Sequence, residues 1–387
     1  MGAMAVLAAA QARRQTALYW LPGLAAGLAA WLAFLALGET SLIRAAGLAL
    51  VIVGMAMTLR RWGAALAVIG GLALAFSPAF WSQTGGADSL SLPLTLAVLA
   101  LAALAGALLV RLSRRPYLGA AAALLVFTVL FWSGLANPGS LRLTTLLTVW
   151  LLYLLVDLLH ITNPRPDDKP AAGPAGPQHT VGLLLLLALG TLNDPLFTLI
   201  VPATALGLAA SRVRLSRWYW LALAVVATVG VYGVADTYIA STWWRFPAAQ
   251  AEAAGLRVPY VLADGWREAS RWIYLLQLVT WQFTAAGVAL GVMGLARLAR
   301  WYPPLGLVTM AAYATYALFG LVYFGRDGTV LLLPLLVIQV FWMTYAVHAL
   351  GQWLRQGLRL GGAARWLAPA VYTLLPLALL LRIVGGV

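Results

Sequence analysis

Cysteine is absent from this 387-residue chain, which excludes disulfides, thiolate chemistry and cysteine metal sites. Histidine is nearly absent. His160, His179 and His348 stand far apart in sequence, so a histidine-based metal centre is not expected. Charge is scarce as well: Asp, Glu, Lys and Arg make up 9% of the chain, against roughly 25% in soluble domains, so an ordinary solvated surface is excluded. The acids number only 11. Of the basic residues only Lys169 is lysine, which reads as the base composition of a GC-rich genome. A secretory signal is not expected either. Met1 to Gln15 is apolar before it is basic, the reverse of a signal's order, and reads as a short cytoplasmic or interfacial lead-in.

What is present is apolar. Hydrophobic residues fill 63% of the positions and the mean hydropathy is +0.90, the composition of a polytopic membrane protein. A helical span needs about 20 apolar residues. Such runs lie near 18–37, 41–58, 63–80, 90–110, 117–135, 141–160, 218–239, 272–295, 304–323, 329–350 and 366–386. The small-residue run from Gly23 to Gly27 fits close helix packing. The expected fold is therefore an all-α polytopic integral membrane bundle of about eleven spans.

The net charge of +14 is no sign of nucleic acid. A nucleic-acid binder gathers its cations on one solvated face. Here they cluster between apolar runs: Arg13–Arg14, Arg60–Arg61, Arg111/Arg114/Arg115, Arg212/Arg214/Arg217, Arg297/Arg300 and Arg355/Arg359/Arg365. Clusters at alternate loops follow the positive-inside rule and meet anionic headgroups.

The stretch 181–210 is too long for one span, and Asn193-Asp194-Pro195 interrupts it. If it forms two short arms returning to one side, 17 of the 25 basic residues fall inside and 8 outside. If it crosses once, the split weakens to 15 against 10. The charge pattern thus favours a broken, re-entrant hairpin, which is tolerated at membrane depth only when buried in protein or lining a cavity. In this reading the N-terminus is cytoplasmic and the C-terminus extracytoplasmic. An N-terminal bundle, 1–160, is joined by a Pro/Gly-rich cytoplasmic linker, 161–179, to a C-terminal bundle, 180–387, whose external loop 239–270 reads as an interfacial helix plus a cap.

Acids near membrane depth are candidates for function. Asp88 opens a helix after Trp81-Ser82-Gln83, so it is either a helix cap or a carboxylate at an outward cavity mouth. Asn193-Asp194 is either a polar turn satisfying its own backbone or a headgroup ligand. Arg326-Asp327 is either a two-residue turn or a phosphate partner, and Trp243 to Phe246 either an interfacial belt or a sugar platform.

These same segments, over roughly 41–350, resemble one family. It is the bacterial domain-of-unknown-function family related to transmembrane protein O-mannosyltransferases, within the GT-C superfamily of lipid-linked-sugar glycosyltransferases. Trp81 and Gln83 match the family's first element, and Asp88 stands where the family has Glu. Leu189-Gly190, Asn193-Asp194-Pro195 and Pro202 resemble its second, with Asp194 in place of His. Tyr323, Asp327, Leu333 and Pro334 follow the order of a late aromatic, Asp and Leu-Pro. The resemblance implies a GT-C-like fold and glycosyl transfer at the extracytoplasmic face from a polyprenyl-phosphate sugar. Asp88 would be the base, or a metal or donor contact. Arg245 or Arg326 would hold phosphate, and Trp81, Gln83, Asn193, Asp194 and Asp327 would line the substrate site. No metal and no cofactor are expected. The expected partners are the bilayer of a bacterial inner membrane, the lipid-linked donor and other membrane subunits, with no nucleic acid.

Two rival readings stand beside this one. The family carries a long acidic first external loop, and this chain has only Gly38-Glu39-Thr40 there. That departure supports a catalytically inactive scaffold or complex subunit. The interrupted hairpin supports a lipid or solute transporter, against which stand the absence of an internal repeat and of a buried acid–base relay.

Overall fold

The computed structural model describes residues 2–38, 40–85, 92–114, 142–163, 177–211, 213–240, 260–261, 264–325, 328–357 and 366–385, with a few helical positions between 118 and 126. The helices in chain order are α1 (Gly2–Leu37), α2 (Leu42–Leu59), α3 (Ala64–Ala75), α4 (Pro78–Trp81), α5 (Leu92–Ser113), α6 (Arg142–Thr162), α7 (Pro177–Asn193), α8 (Val201–Ala210), α9 (Arg217–Val234), α10 (Ala269–Trp301), α11 (Pro303–Val322), α12 (Gly328–Leu331), α13 (Leu333–Gly357) and α14 (Leu367–Val384). Strands β1 (Tyr260–Val261) and β2 (Tyr323–Phe324) form a short antiparallel pair. Local chemistry sets several boundaries. Ser41 and Ser216 accept from the backbone N–H groups of Arg44 and Tyr219 and start α2 and α9. Gly63, at φ 123°, turns the chain between α2 and α3 in a conformation that side chains disfavour.

Nine of these helices are long and apolar enough to cross a membrane, and the bent pair α3–α4 would make a tenth. The outer helices support that reading. α5 and α9 expose Leu96, Leu99, Leu101, Leu104, Leu108, Val225 and Val229, a surface that water would penalise and hydrocarbon accepts. α13 is the axis: 89% of its spanning window is buried, and it packs on α3, α10, α11 and α14. The buried core is continuous from Ala26 to Leu379, across both sides of the 164–176 segment.

Side-chain contacts define two ends of the bundle. At the first, Asp157 of α6 meets Arg60, Arg61 and His179. Tyr219 Oη there donates to Thr180 O, and Tyr302 Oη to Leu159 O. At the second, Arg44 reaches Thr84 and Gly85, and Thr144 reaches Asn193 and Asp194. The Asp157 end carries Arg13, Arg14, Arg60, Arg61, Arg214, Arg217, Arg297, Arg300 and Arg355, and the Arg44 end carries Arg44, Arg142, Arg267, Arg271 and Arg382.

The interrupted segment runs out and back. α7 climbs antiparallel to α6, from His179 beside Asp157 to Asn193 beside Thr144. A 3-10 turn, Pro195–Ile200, reverses the chain, and α8 descends until Asn163 Nδ2 donates to Ala210 O at 3.1 Å. Both arms therefore end at the Asp157 end of α6.

One expectation needs correction. The run 63–80 is not one straight helix: α3 and α4 meet at 65°. Pro78 lacks an N–H and drives Ser77 out of the helical region, to ψ 137°. The first candidate span is Tyr19–Leu37, as expected, and α1 continues N-terminally from it through the lead-in for a total of 36 residues, about 54 Å. Counting the bent pair as one span, ten of the eleven expected runs have a counterpart among the described residues. The expected span 117–135 lies mostly outside them, as does most of the loop 239–270.

Candidate functional site

The site is built at the Arg44 end. Three short-range bonds hold the broken segment around α4. Ser77 Oγ donates to Leu74 O, Ser82 Oγ to Ala79 O and Thr84 Oγ1 to Trp81 O, each at 2.8 Å. From α10, Gln282 Oε1 accepts the Ala79 N–H at 2.8 Å, a donor that the break at Ser77 leaves without a helical partner. Buried Arg44 closes the segment by donating to Thr84 O at 3.0 Å and Gly85 O at 2.7 Å.

α10 is itself broken. Thr284 sits at φ 65°, ψ 170°, a region that β-branched residues avoid. The break disrupts the ladder that would use the Trp281 carbonyl, and Arg382 of α14 takes it instead at 2.9 Å. The Arg382 guanidinium also lies 3.5 Å from the Trp281 ring centroid.

These breaks border a cavity of about 640 Å³ between the N-terminal half of α10, α12 and α14. Its walls are Tyr274, Leu276, Gln277, Leu278, Thr280, Trp281, Gln282, Thr329 and Arg382. It thus combines one guanidinium, two amides, three hydroxyls, an indole and aliphatic surface. That set can hold an anion through Arg382 and polyhydroxyl groups through the amides and hydroxyls, with an apolar body against the leucines.

The sequence-derived candidates fall into three groups. Trp81 packs with Phe34 and Phe76, at centroid distances of 5.5 and 6.0 Å, so its ring wedges α4 against α1 and α3. Gln83 is buried beside it, 3.3 Å from Ser82 Oγ. Asn193 and Asp194 lie elsewhere, at the hairpin tip. Asp194 Oδ1 accepts from Leu196 N at 3.0 Å and Oδ2 from Thr144 Oγ1 at 3.2 Å, while Asn193 Nδ2 donates to Thr144 at 3.0 Å. Of the two alternatives for this pair, the self-satisfied polar turn describes these contacts. The 640 Å³ cavity is lined by none of these four residues. Glu39, Asp88, Arg245, Arg326 and Asp327 lie outside the described residues.

Sequence reasoning missed Gln282, Arg382, Arg44 and the partners of Asp157. A usable signal existed for Gln282, since an amide inside an apolar run is costly unless bonded. Arg382, in the last apolar run, stood apart from every cluster.

This architecture belongs to the class of α-helical integral membrane proteins. The chain matches no family model, no curated protein and no solved structure.

Proposed function

We propose that the protein is a GT-C-like membrane glycosyltransferase that takes a polyprenyl-phosphate sugar at its Arg44 end, and that this end is extracytoplasmic. The carrying observation is the composition of the 640 Å³ cavity and its junctions with two of the motif segments. Gln282 ties it to the Trp81–Gln83 segment through Ala79 N. Thr329, two residues beyond Asp327 in sequence, lies in its wall. Arg382 is the cation for the phosphate, and Gln277, Thr280 and Tyr274 face the sugar. The acceptor hydroxyl attacks the anomeric carbon as its bond to the phosphate oxygen breaks. Polyprenyl phosphate leaves, and the acceptor's proton passes to Asp88, three residues beyond Gly85 in sequence. The excess of basic residues at the opposite end supports the orientation.

The test is transfer of radiolabelled hexose from a synthetic polyprenyl-phosphate donor panel by the protein in nanodiscs, with donor binding measured in parallel. We expect Arg382→Gln to weaken donor binding. Asp88→Asn should leave binding intact and lower turnover by about 10²- to 10⁴-fold. Binding without turnover in the wild type would establish the inactive scaffold instead. Absence of both across the panel would end this reading.

A further inference from the structure

A second cavity, of about 400 Å³, opens at the Asp157 end, where the α2–α3 turn meets the close of α13 and the start of α14. It is independent of the site above. Its chemistry is that of an anion receptor. Arg61, whose Nη2 also bonds Asp157, and Arg355 line it, His348 joins them, and no acid is among its described lining residues. Two helix N-termini open onto it. Ala64, Ala65 and Leu66 are the first turn of α3, and on the other wall Ala368 and Pro369 belong to the first turn of α14. Neither helix has a side-chain cap. At α3 the N–H groups of Ala64, Ala65 and Leu66 precede the first intrahelical donor, Ala67, while Pro369 of α14 has no N–H, so that helix offers the positive end of its dipole. Arg355 is exposed and, among the described residues, donates its Nε to Gly351 O at 3.2 Å, within its own helix.

The rest of the cavity is apolar and interfacial. Leu66, Val347 and Pro369 form walls, and the indoles of Trp62 and Trp366 flank it. Trp366 is 56% exposed at the end of an apolar helix, the position of an aromatic belt. A soluble anion would leave these walls unused. A phosphate carrying a hydrocarbon tail would use both halves. We propose that this cavity binds the phosphate headgroup of an anionic membrane lipid, held by Arg355, Arg61 and the N-termini of α3 and α14.

The experiment is native mass spectrometry of the full-length protein released from nanodiscs of phosphatidylglycerol and phosphatidylcholine in equal parts. Thermal unfolding confirms that each variant folds. The expected result is one retained phosphatidylglycerol per chain in preference to phosphatidylcholine. Arg355→Gln should lower that retention about tenfold, the loss of one charge-assisted contact. Ala64→Phe, which fills the cavity and leaves every charge in place, should lower it as well. Arg300→Gln, at the same end and outside the cavity, should not. Wild-type retention in both Arg355→Gln and Ala64→Phe would overturn the proposal. So would displacement of the lipid by inorganic phosphate as effectively as by added phosphatidylglycerol, which would mark a site for a soluble anion.

Discussion

Single residues carry much of the cohesion at the charged end. Asp157 Oδ1 accepts from Arg60 Nη2 at 3.0 Å and Arg61 Nη2 at 2.7 Å, and Oδ2 lies 3.2 Å from His179 Nε2. The Arg60 guanidinium stacks over Tyr19, 4.2 Å from its centroid, and bonds its hydroxyl, and Tyr19 Oη bonds Tyr153 Oη at 2.9 Å. One carboxylate thus links α1, α2, α6 and α7. The Asp157 side chain is only 14% exposed, so removing its charge strands two guanidiniums with little water to replace it. Asp157→Asn should destabilise the protein by about 3 kcal/mol, read as thermal unfolding in detergent. Adding Arg60→Gln should cost less than the two single changes combined, because the pair shares one interaction. The sequence showed Asp157 only as an acid beside a linker. Its arginine partners come from 97 and 96 residues earlier and His179 from 22 residues later, and linear spacing does not report such a meeting.

Helix elements meet through small residues. α10 and α13 run in parallel and touch along Gly287, Gly291 and Gly294. A Cβ on Gly294 would fall on the Trp342 backbone oxygen, and one on Gly291 would overlap the Gln339 amide. Gln339 Nε2 in turn donates to Gly287 O at 3.1 Å, a polar clasp inside the same contact. Lipid offers no hydrophobic drive for helix association, so contact distance decides. Gly294→Ala must push two backbones apart. It should lower stability by about 2–3 kcal/mol, while Gly47→Ala, whose Cβ would meet nothing within 4 Å, should change little. Thermal unfolding of the two variants side by side checks this. The Gly23–Gly27 run behaves as its composition suggests: a Cβ on Gly23 would sit 2.9 Å from Met57 Cγ, and one on Gly27 against Val53.

At the scale of the whole molecule, charge and topology make one statement about orientation. α7 and α8 leave from and return to the Asp157 end, so the described cations divide unevenly between the two ends. In the orientation proposed above, the positive-inside rule has the Asp157 end in the cytoplasm. The absence of cysteine makes the test clean. Single cysteines at Ala172 and Arg214 should react only after the membrane is permeabilised, and one at Gly386 should react with an impermeant maleimide in intact cells. External labelling at position 172 would reverse the orientation, and opposite labelling of positions 172 and 214 would break the hairpin.

Apolar runs and loop charges were enough to establish the helical membrane class, the approximate span limits and the turn at Asn193–Pro195. These are local quantities: a run of about 20 apolar residues has few alternatives to a helix in lipid, and a proline interrupts a helix wherever it falls. The identity of the polar sites was a different matter. Asn193-Asp194 read equally as a polar turn or a headgroup ligand, and Asp194 accepts from Leu196 N in its own turn and from Thr144 of α6. Gln282 and Arg382 drew no reading from the sequence and line the 640 Å³ cavity. The 65° break between α3 and α4 and the break at Thr284 opened backbone groups that Gln282 and Arg382 then occupied. Only the tertiary structure decides such pairings. The cost of an unpaired polar group in an apolar bundle is settled by whichever distant side chain packs beside it, and packing is not written in sequence order.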